Sequence, residues 1–257
     1  MLWCNRRTSD LRQTEVMVRG QTVTYQVAGS GEPVVLVHGL AGSARWWRRN
    51  VAALAQEHTL YLVNLPGFGS FRRSGLHFTF AEGADWLGDW IEAVGIAPCH
   101  VVAHSMGAYL TIRLAASRPE LVRRLVLVAP AIIAGSRPVR AYPLALVAAG
   151  LAASPTFLPL LALDSLRAGP LTILRAARQL LADDVRAELR AVAAPTLLVW
   201  GSRDALVPPS LAPQVRAALR NAALLMLPGA GHVPNYDRPH EFNAATLAFL
   251  AGHDVTV

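Results

Sequence analysis

No lysine occurs anywhere in the 257 residues; all 24 basic side chains are arginine. A net charge of +7 would ordinarily point to an anionic partner. Here the arginines are scattered from Arg6 to Arg238, with at most pairs such as Arg48–Arg49 and Arg72–Arg73. Alongside abundant alanine, that reads as a bias of the coding genome, and nucleic acid is not expected as a partner. Cysteine is nearly absent too. Cys4 and Cys99 have no metal-like spacing and read as two free thiols in a reducing compartment. Neither a metal nor another cofactor is expected. Charged residues are few, 16 % against 53 % hydrophobic, which excludes a disordered chain and allows a large core. The opening MLWCNRRTSDLRQTEV lacks the apolar stretch of a secretory signal, so the expected location is the cytoplasm.

Charge is missing altogether from residues 141–163, AYPLALVAAGLAASPTFLPLLAL. That run is long enough to span a bilayer. Pro143, Pro155 and Pro159 would break a single helix, however, and apolar strands lie on both sides. The expectation is short apolar helices over an apolar pocket, with no membrane span.

What is present is a regular alternation. Strands are expected at Glu15–Val18, Thr22–Val27, Pro33–Val37, Leu60–Asn64, Val101–Ala103, Arg124–Val128, Thr196–Trp200 and Ala223–Leu227. Helices are expected at Ala44–Gln56, Thr79–Val94 (ended by Gly95), Met106–Ser117, near Pro209–Leu219, and at Pro239–Ala251. Such alternation implies a mainly parallel sheet covered on both faces. It stops for about sixty residues after Ala129–Pro130, an insertion expected above the C-terminal strand ends, where ligands bind in such sheets.

Ser105 sits at a strand–helix junction in the stretch VVAHSMGAYL. A buried hydroxyl without a partner costs free energy, so something must use it. The pattern A-H-S-M-G is a nucleophile elbow with alanine at its first small position; the tight turn requires small residues at Ala103 and Gly107. A serine nucleophile needs a base, and the base an orienting acid. Asp204 follows the strand TLLVW and His232 follows the strand ending at Leu227, in the chain order Ser105, Asp204, His232. The backbone amides of Leu40, after His38-Gly39, and of Met106 are the expected oxyanion donors.

The stretches HGLAGSARWW, LPGFGS, VVAHSMGAYL, GSRDALVP and GAGHVPNYDRP resemble the motif series of the α/β-hydrolase superfamily, from about Glu15 to Ala251. The resemblance implies an α/β fold with an eight-stranded, mostly parallel sheet flanked by helices and a helical cap inserted after the sixth strand. It divides the chain into core residues 1–130, cap residues 131–192 and core residues 193–257. It also implies a Ser–His–Asp triad, while a serine nucleophile fits poorly with the haloalkane dehalogenase and epoxide hydrolase branches. The chain departs from many relatives at Ala103, where they have glycine, and at Asn64, where they have aspartate.

The expected chemistry is that of the serine esterase/lipase-like branch: hydrolysis of a carboxylic ester of a small apolar substrate through an acyl-enzyme. Activity should fall on the acid side as His232 takes up a proton. An acyltransferase or perhydrolase, a C–C bond hydrolase, and a ligand receptor with a slow triad remain alternatives, and a homodimer is left open. Among other residues, His104 reads as structural and His38 as bonded within its own loop. His58, His77, His100, His240 and His253 read as solvated or locally bonded. Of Trp46 and Trp47, one is expected in the core and the other at the pocket. Trp86 and Trp90 have core spacing. Asp183 and Asp184 read as solvated; Arg137, Arg140 and Arg167, which flank the apolar run, read as solvated or else as meeting a carboxylate or phosphate at the pocket entrance.

Overall fold

The computed structural model describes residues 11–71, 79–132 and 139–255. Cys4, Arg6, Arg72, Arg73, His77 and Arg137 lie outside the described residues. The strands are β1 (Arg12–Val18), β2 (Gln21–Gly29), β3 (Glu32–Val37), β4 (His58–Val63), β5 (Cys99–His104), β6 (Val122–Val128), β7 (Thr196–Gly201) and β8 (Ala222–Leu227). They form one sheet in the order β1-β2-β4-β3-β5-β6-β7-β8. From β4 to β8 along that order every pairing is parallel; β2 alone runs against both its neighbours. The β1–β2 turn uses Arg19 and Gly20, both at positive φ (49° and 78°), the geometry that suits the twist of a two-residue hairpin.

Among the described residues the helices are α1 (Val51–Leu54), α2 (Phe80–Val94), α3 (Met106–Ser117), α4 (Tyr142–Ala152), α5 (Leu158–Ala168), α6 (Pro170–Ala182), α7 (Arg186–Ala191), α8 (Ala212–Ala218), α9 (Pro234–Asp237) and α10 (Pro239–Leu250). The central strands read as unbroken apolar runs because both sheet faces are covered. Along β3 the side chains alternate between two cores. Val35 and Val37 join Trp86, Trp90 and Ile112 of α2 and α3, whereas Val34 and Leu36 join Trp47, Leu54 and Phe242 on the opposite face. The spacing of Trp86 and Trp90 is therefore core spacing, as expected.

α2 begins with a reciprocal cap, Thr79 and Glu82 each satisfying the other's amide, and ends at Gly95 with φ 74°. The helix expected over Ala44–Gln56 is instead a 3-10 turn at Ala44–Trp47 followed by the single turn α1. Tertiary packing overrides the helical pattern there. Trp47 enters the core against Phe242 while Trp46 turns toward Phe157 of the insertion. Buried Asn50 anchors the break, donating to Asn235 O at 3.0 Å and Asn243 Oδ1 at 2.8 Å.

The residues between β6 and β7 supply α4 to α7. The prolines expected to interrupt the apolar run do so by starting helices: Pro143 and Pro159 lie in the first turns of α4 and α5, where a missing N–H costs nothing. No helix among the described residues is long and apolar enough to cross a membrane.

Candidate active site

Parallel strands put the loops after β3, β5, β7 and β8 at one edge of the sheet, and each contributes one part of the site. Ser105 stands between β5 and α3, with φ 50° and ψ −113°. Left-handed backbone at a residue with a side chain costs on the order of 1–3 kcal/mol and persists only where its surroundings hold it. Here Ser105 N donates to Val128 O at 2.8 Å, and its carbonyl accepts from Tyr109 N at 3.0 Å and Ala131 N at 3.2 Å. The turn tolerates no side chain at Gly107, whose Cβ would lie 2.4 Å from His38 O.

The structure brings the three residues expected from sequence together. His232 Nε2 lies 3.0 Å from Ser105 Oγ, and His232 Nδ1 lies 2.8 Å from Asp204 Oδ2. The Asp204 side chain is fully buried. Its Oδ1 accepts from the amides of Leu206 and Val207, both at 2.9 Å, which leaves Oδ2 to take the imidazole N–H. With Nδ1 donating to the carboxylate, the neutral ring offers Nε2 as acceptor to the serine hydroxyl.

Three further features hold this geometry. His104, expected to be structural, donates from Nε2 to His232 O at 2.8 Å. Burial, reinforced by the neighbouring His232, pushes its pKa down to about 3. His38 is bonded within its own loop, Nδ1 donating to Gly39 O at 2.8 Å. It also reaches a second loop, since Leu65 N donates to its Nε2 at 3.0 Å. Burial lowers His38 to about 4, so both rings stay neutral. Gly39 lies so close to Ser105 that a Cβ there would sit 2.6 Å from His104 Nδ1 and 3.1 Å from Ser105 Cβ. Leu40 follows Gly39 and lines the same cavity as Ser105. Met106 is the first residue of α3, so its amide has no acceptor within the helix.

Ser105 and His232 open into a cavity of about 410 Å³. Its walls come from the core (Leu40, Trp46, Val233) and from α4, α5 and α6 of the insertion (Leu146, Leu161, Ile173). No arginine or carboxylate is among the described lining residues; Arg140 and Arg167 are exposed and outside the lining. Trp46 is the tryptophan that reaches the cavity and Trp47 the one in the core.

Two contacts between the inserted helices and the core were not legible in the sequence. Buried Asp164 of α5 accepts from Ser43 Oγ at 2.7 Å and Trp46 Nε1 at 3.1 Å, and pairs with Arg45. Thr156 accepts from Arg49 at 2.8 Å through its hydroxyl and from Tyr236 Oη at 3.0 Å through its carbonyl. The partners are about 80 to 120 residues apart, so no local pattern announces them. The one signal for Asp164 is its position as the first charge after the uncharged run. Other polar residues also differ from expectation. His58 and His100 are buried together, ring centroids 5.9 Å apart, and His100 bonds Glu32 at 2.9 Å. Asp183 pairs with Arg113 at 2.8 Å. No cluster of three or more His, Cys, Asp or Glu among the described residues has the geometry of a metal site.

Sheet order, strand–turn–helix serine and the histidine and aspartate after later strands define a class, and comparison with known proteins agrees. The model of the alpha/beta hydrolase family matches residues 34–245, and this chain belongs to that family. It is 31 % identical over 250 residues to the dihydrolipoyllysine-residue acetyltransferase component of an acetoin-cleaving system from Pseudomonas putida, covering 89 % of this chain and 66 % of that longer protein. It is 28 % identical to the pimeloyl-[acyl-carrier protein] methyl ester esterase of Aeromonas hydrophila, covering 86 % of this chain and 96 % of that one. A putative lipase from Acinetobacter baumannii has the same fold, with a TM-score of 0.81 at 24 % identity over 96 % of this chain and 93 % of its own.

Proposed function

We propose that this chain is a serine hydrolase that cleaves carboxylic esters of apolar substrates, with residues 131–192 acting as the cap over its site. The observation that carries the reading is the hydrogen-bonded series Asp204–His232–Ser105 at the floor of an apolar cavity. In this reading His232 takes the Ser105 proton as the hydroxyl attacks the ester carbonyl. The resulting oxyanion is held by the amides of Leu40 and Met106. His232 then passes the proton to the departing alcohol, and water, deprotonated by the same ring, hydrolyses the acyl-enzyme. Asp204 fixes the tautomer and stabilises the charged ring throughout. The esterase name borne by the Aeromonas hydrophila relative agrees with this chemistry. A lining without cation or carboxylate disfavours substrates with a free acid end, and with them the C–C hydrolase reading.

The test is hydrolysis of p-nitrophenyl esters of increasing acyl length by wild type, Ser105→Ala and His232→Ala. Expected is a chain-length optimum for wild type and a loss of about a thousandfold or more in both variants. Equal turnover by wild type and Ser105→Ala would remove the serine from the mechanism. An added alcohol separates a second reading, acyl transfer, which a dry cavity favours: accumulation of the new ester identifies transfer, accumulation of free acid hydrolysis.

A further inference from the structure

The helices that roof the cavity leave much of their apolar surface uncovered. Nine of the eleven exposed large hydrophobic residues among the described residues lie on α4, α5 and α6. Leu151 and Leu166 are 84 % and 81 % exposed, and Leu144 is 74 % exposed. On α4, Leu144, Val147 and Leu151 recur at intervals of three and four residues and form one outer stripe; Leu171 and Leu174 are exposed at the same three-residue spacing on α6. Isolated surface leucines need no explanation, but so many on three neighbouring helices mark a surface that something covers. α4 carries no charge on any face, a composition found where a helix is enclosed or meets lipid.

The charges around these leucines select the occupant. From Val139 to Ala182 the basic residues are Arg140, Arg167, Arg175 and Arg178, and the only acid is Asp164, buried and paired with Arg45. Along these helices the exposed charges are thus basic; the nearest carboxylates, Asp183 and Asp184, follow the end of α6 and pair with Arg113 and Arg186. A two-fold interface between copies of this chain would set these arginines against one another. A bilayer with anionic headgroups complements both features, taking the leucines into its interface and the arginines among its phosphates. The surface is also continuous with the cavity, since Leu146 is 57 % exposed and lines its wall.

We infer that the outer face of α4–α6 docks on an anionic lipid surface, with the cavity mouth turned toward the bilayer. The docked chain lies on the membrane without crossing it and can admit an apolar molecule directly from the lipid.

The test is co-sedimentation of the full chain carrying Ser105→Ala with vesicles of phosphatidylcholine, or of phosphatidylcholine and phosphatidylglycerol in equal parts. Binding is read without the serine hydroxyl, so it stands or falls apart from the ester chemistry. Expected is binding to the anionic vesicles about tenfold or more stronger than to neutral ones, weakened by salt. Adding Leu151→Gln and Leu166→Gln, both solvent-facing and outside the cavity lining, should remove most of that binding and leave the thermal midpoint unchanged. Three results would overturn the inference: no binding to either vesicle, binding indifferent to the two leucines, or a dimer in solution that the two substitutions dissociate.

Discussion

His232 spans Ser105 and Asp204, and the residues behind it have no freedom to let it move. His104 grips its carbonyl, and Gly39 leaves His104 and Ser105 just enough room. Gly39→Ala should therefore push the loop off the nucleophile. Steady-state kinetics should record at least about a tenfold fall in kcat, and overpacking of this kind costs about 1–3 kcal/mol of stability. An unchanged kcat would mean the loop has slack that the contact distances deny. The neutral histidines also make stability depend on pH. Their ordinary value is 6.5, lowered in the fold to about 4 for His38 and about 3 for His104, in both cases chiefly by burial. Unfolded, each ring binds a proton near 6.5; folded, only near the lowered value. Their contribution is whole above that pH and declines as pH falls toward 4. At about 1.4 kcal/mol per unit, His38 alone removes roughly 3 kcal/mol by about pH 4. Urea midpoints between neutral and acid pH should follow that decline, and a flat series would mean the rings accept protons while folded. At this scale the sequence singled out Ser105, Asp204 and His232, which the fold brings into hydrogen-bond contact, because each sits at a strand end in a recognisable turn. It did not reveal Asp164 or the buried His58–His100 pair, whose environment exists only once distant segments meet.

Among the elements, α5 is tied to the loop after β3 by a buried carboxylate. Asp164 gathers Ser43, Arg45 and Trp46 from the loop after β3, so the roof of the cavity and that loop share one anchor. Asp164→Ala leaves the Ser43 hydroxyl and the Trp46 N–H without their acceptor, at a cost of about 2–4 kcal/mol. Hydrogen exchange should quicken in α5 and in residues 40–47 together, while α2 and α3 keep their protection. Exchange confined to α5 alone would separate the roof from the loop. Element types were legible wherever one periodicity ran unopposed, as in β3, β5 and α2. The segment after Ser43 misled because Trp46 and Trp47 are adjacent in sequence but serve different clusters, a demand that a regular helix cannot meet.

For the whole molecule, Cys99 reports on global integrity. It is buried in β5 at the centre of the sheet, and burial raises its thiol pKa to about 12. In a Cys4→Ser background, a thiol reagent should modify the chain only as fast as the core opens, with a rate that rises through the unfolding transition. Rapid modification under native conditions would contradict the burial. An eight-stranded, mostly parallel sheet was legible through the family resemblance and the alternation of strands with helices; the strand order and the partners of the inserted helices were not, because both depend on segments far apart along the chain. The strand order has one more consequence. Ser105 and the loop of Leu40 are synthesised early, but Asp204 and His232 follow β7 and β8, which extend the sheet beyond β6. A chain still emerging from the ribosome carries Ser105 on an unfinished sheet, with no imidazole beside it. Synthesis proceeds at roughly 5–20 residues per second, so Ser105 waits on the order of ten seconds for His232. The hydrogen-bonded series Asp204–His232–Ser105 comes into being only when β7 and β8 join the sheet.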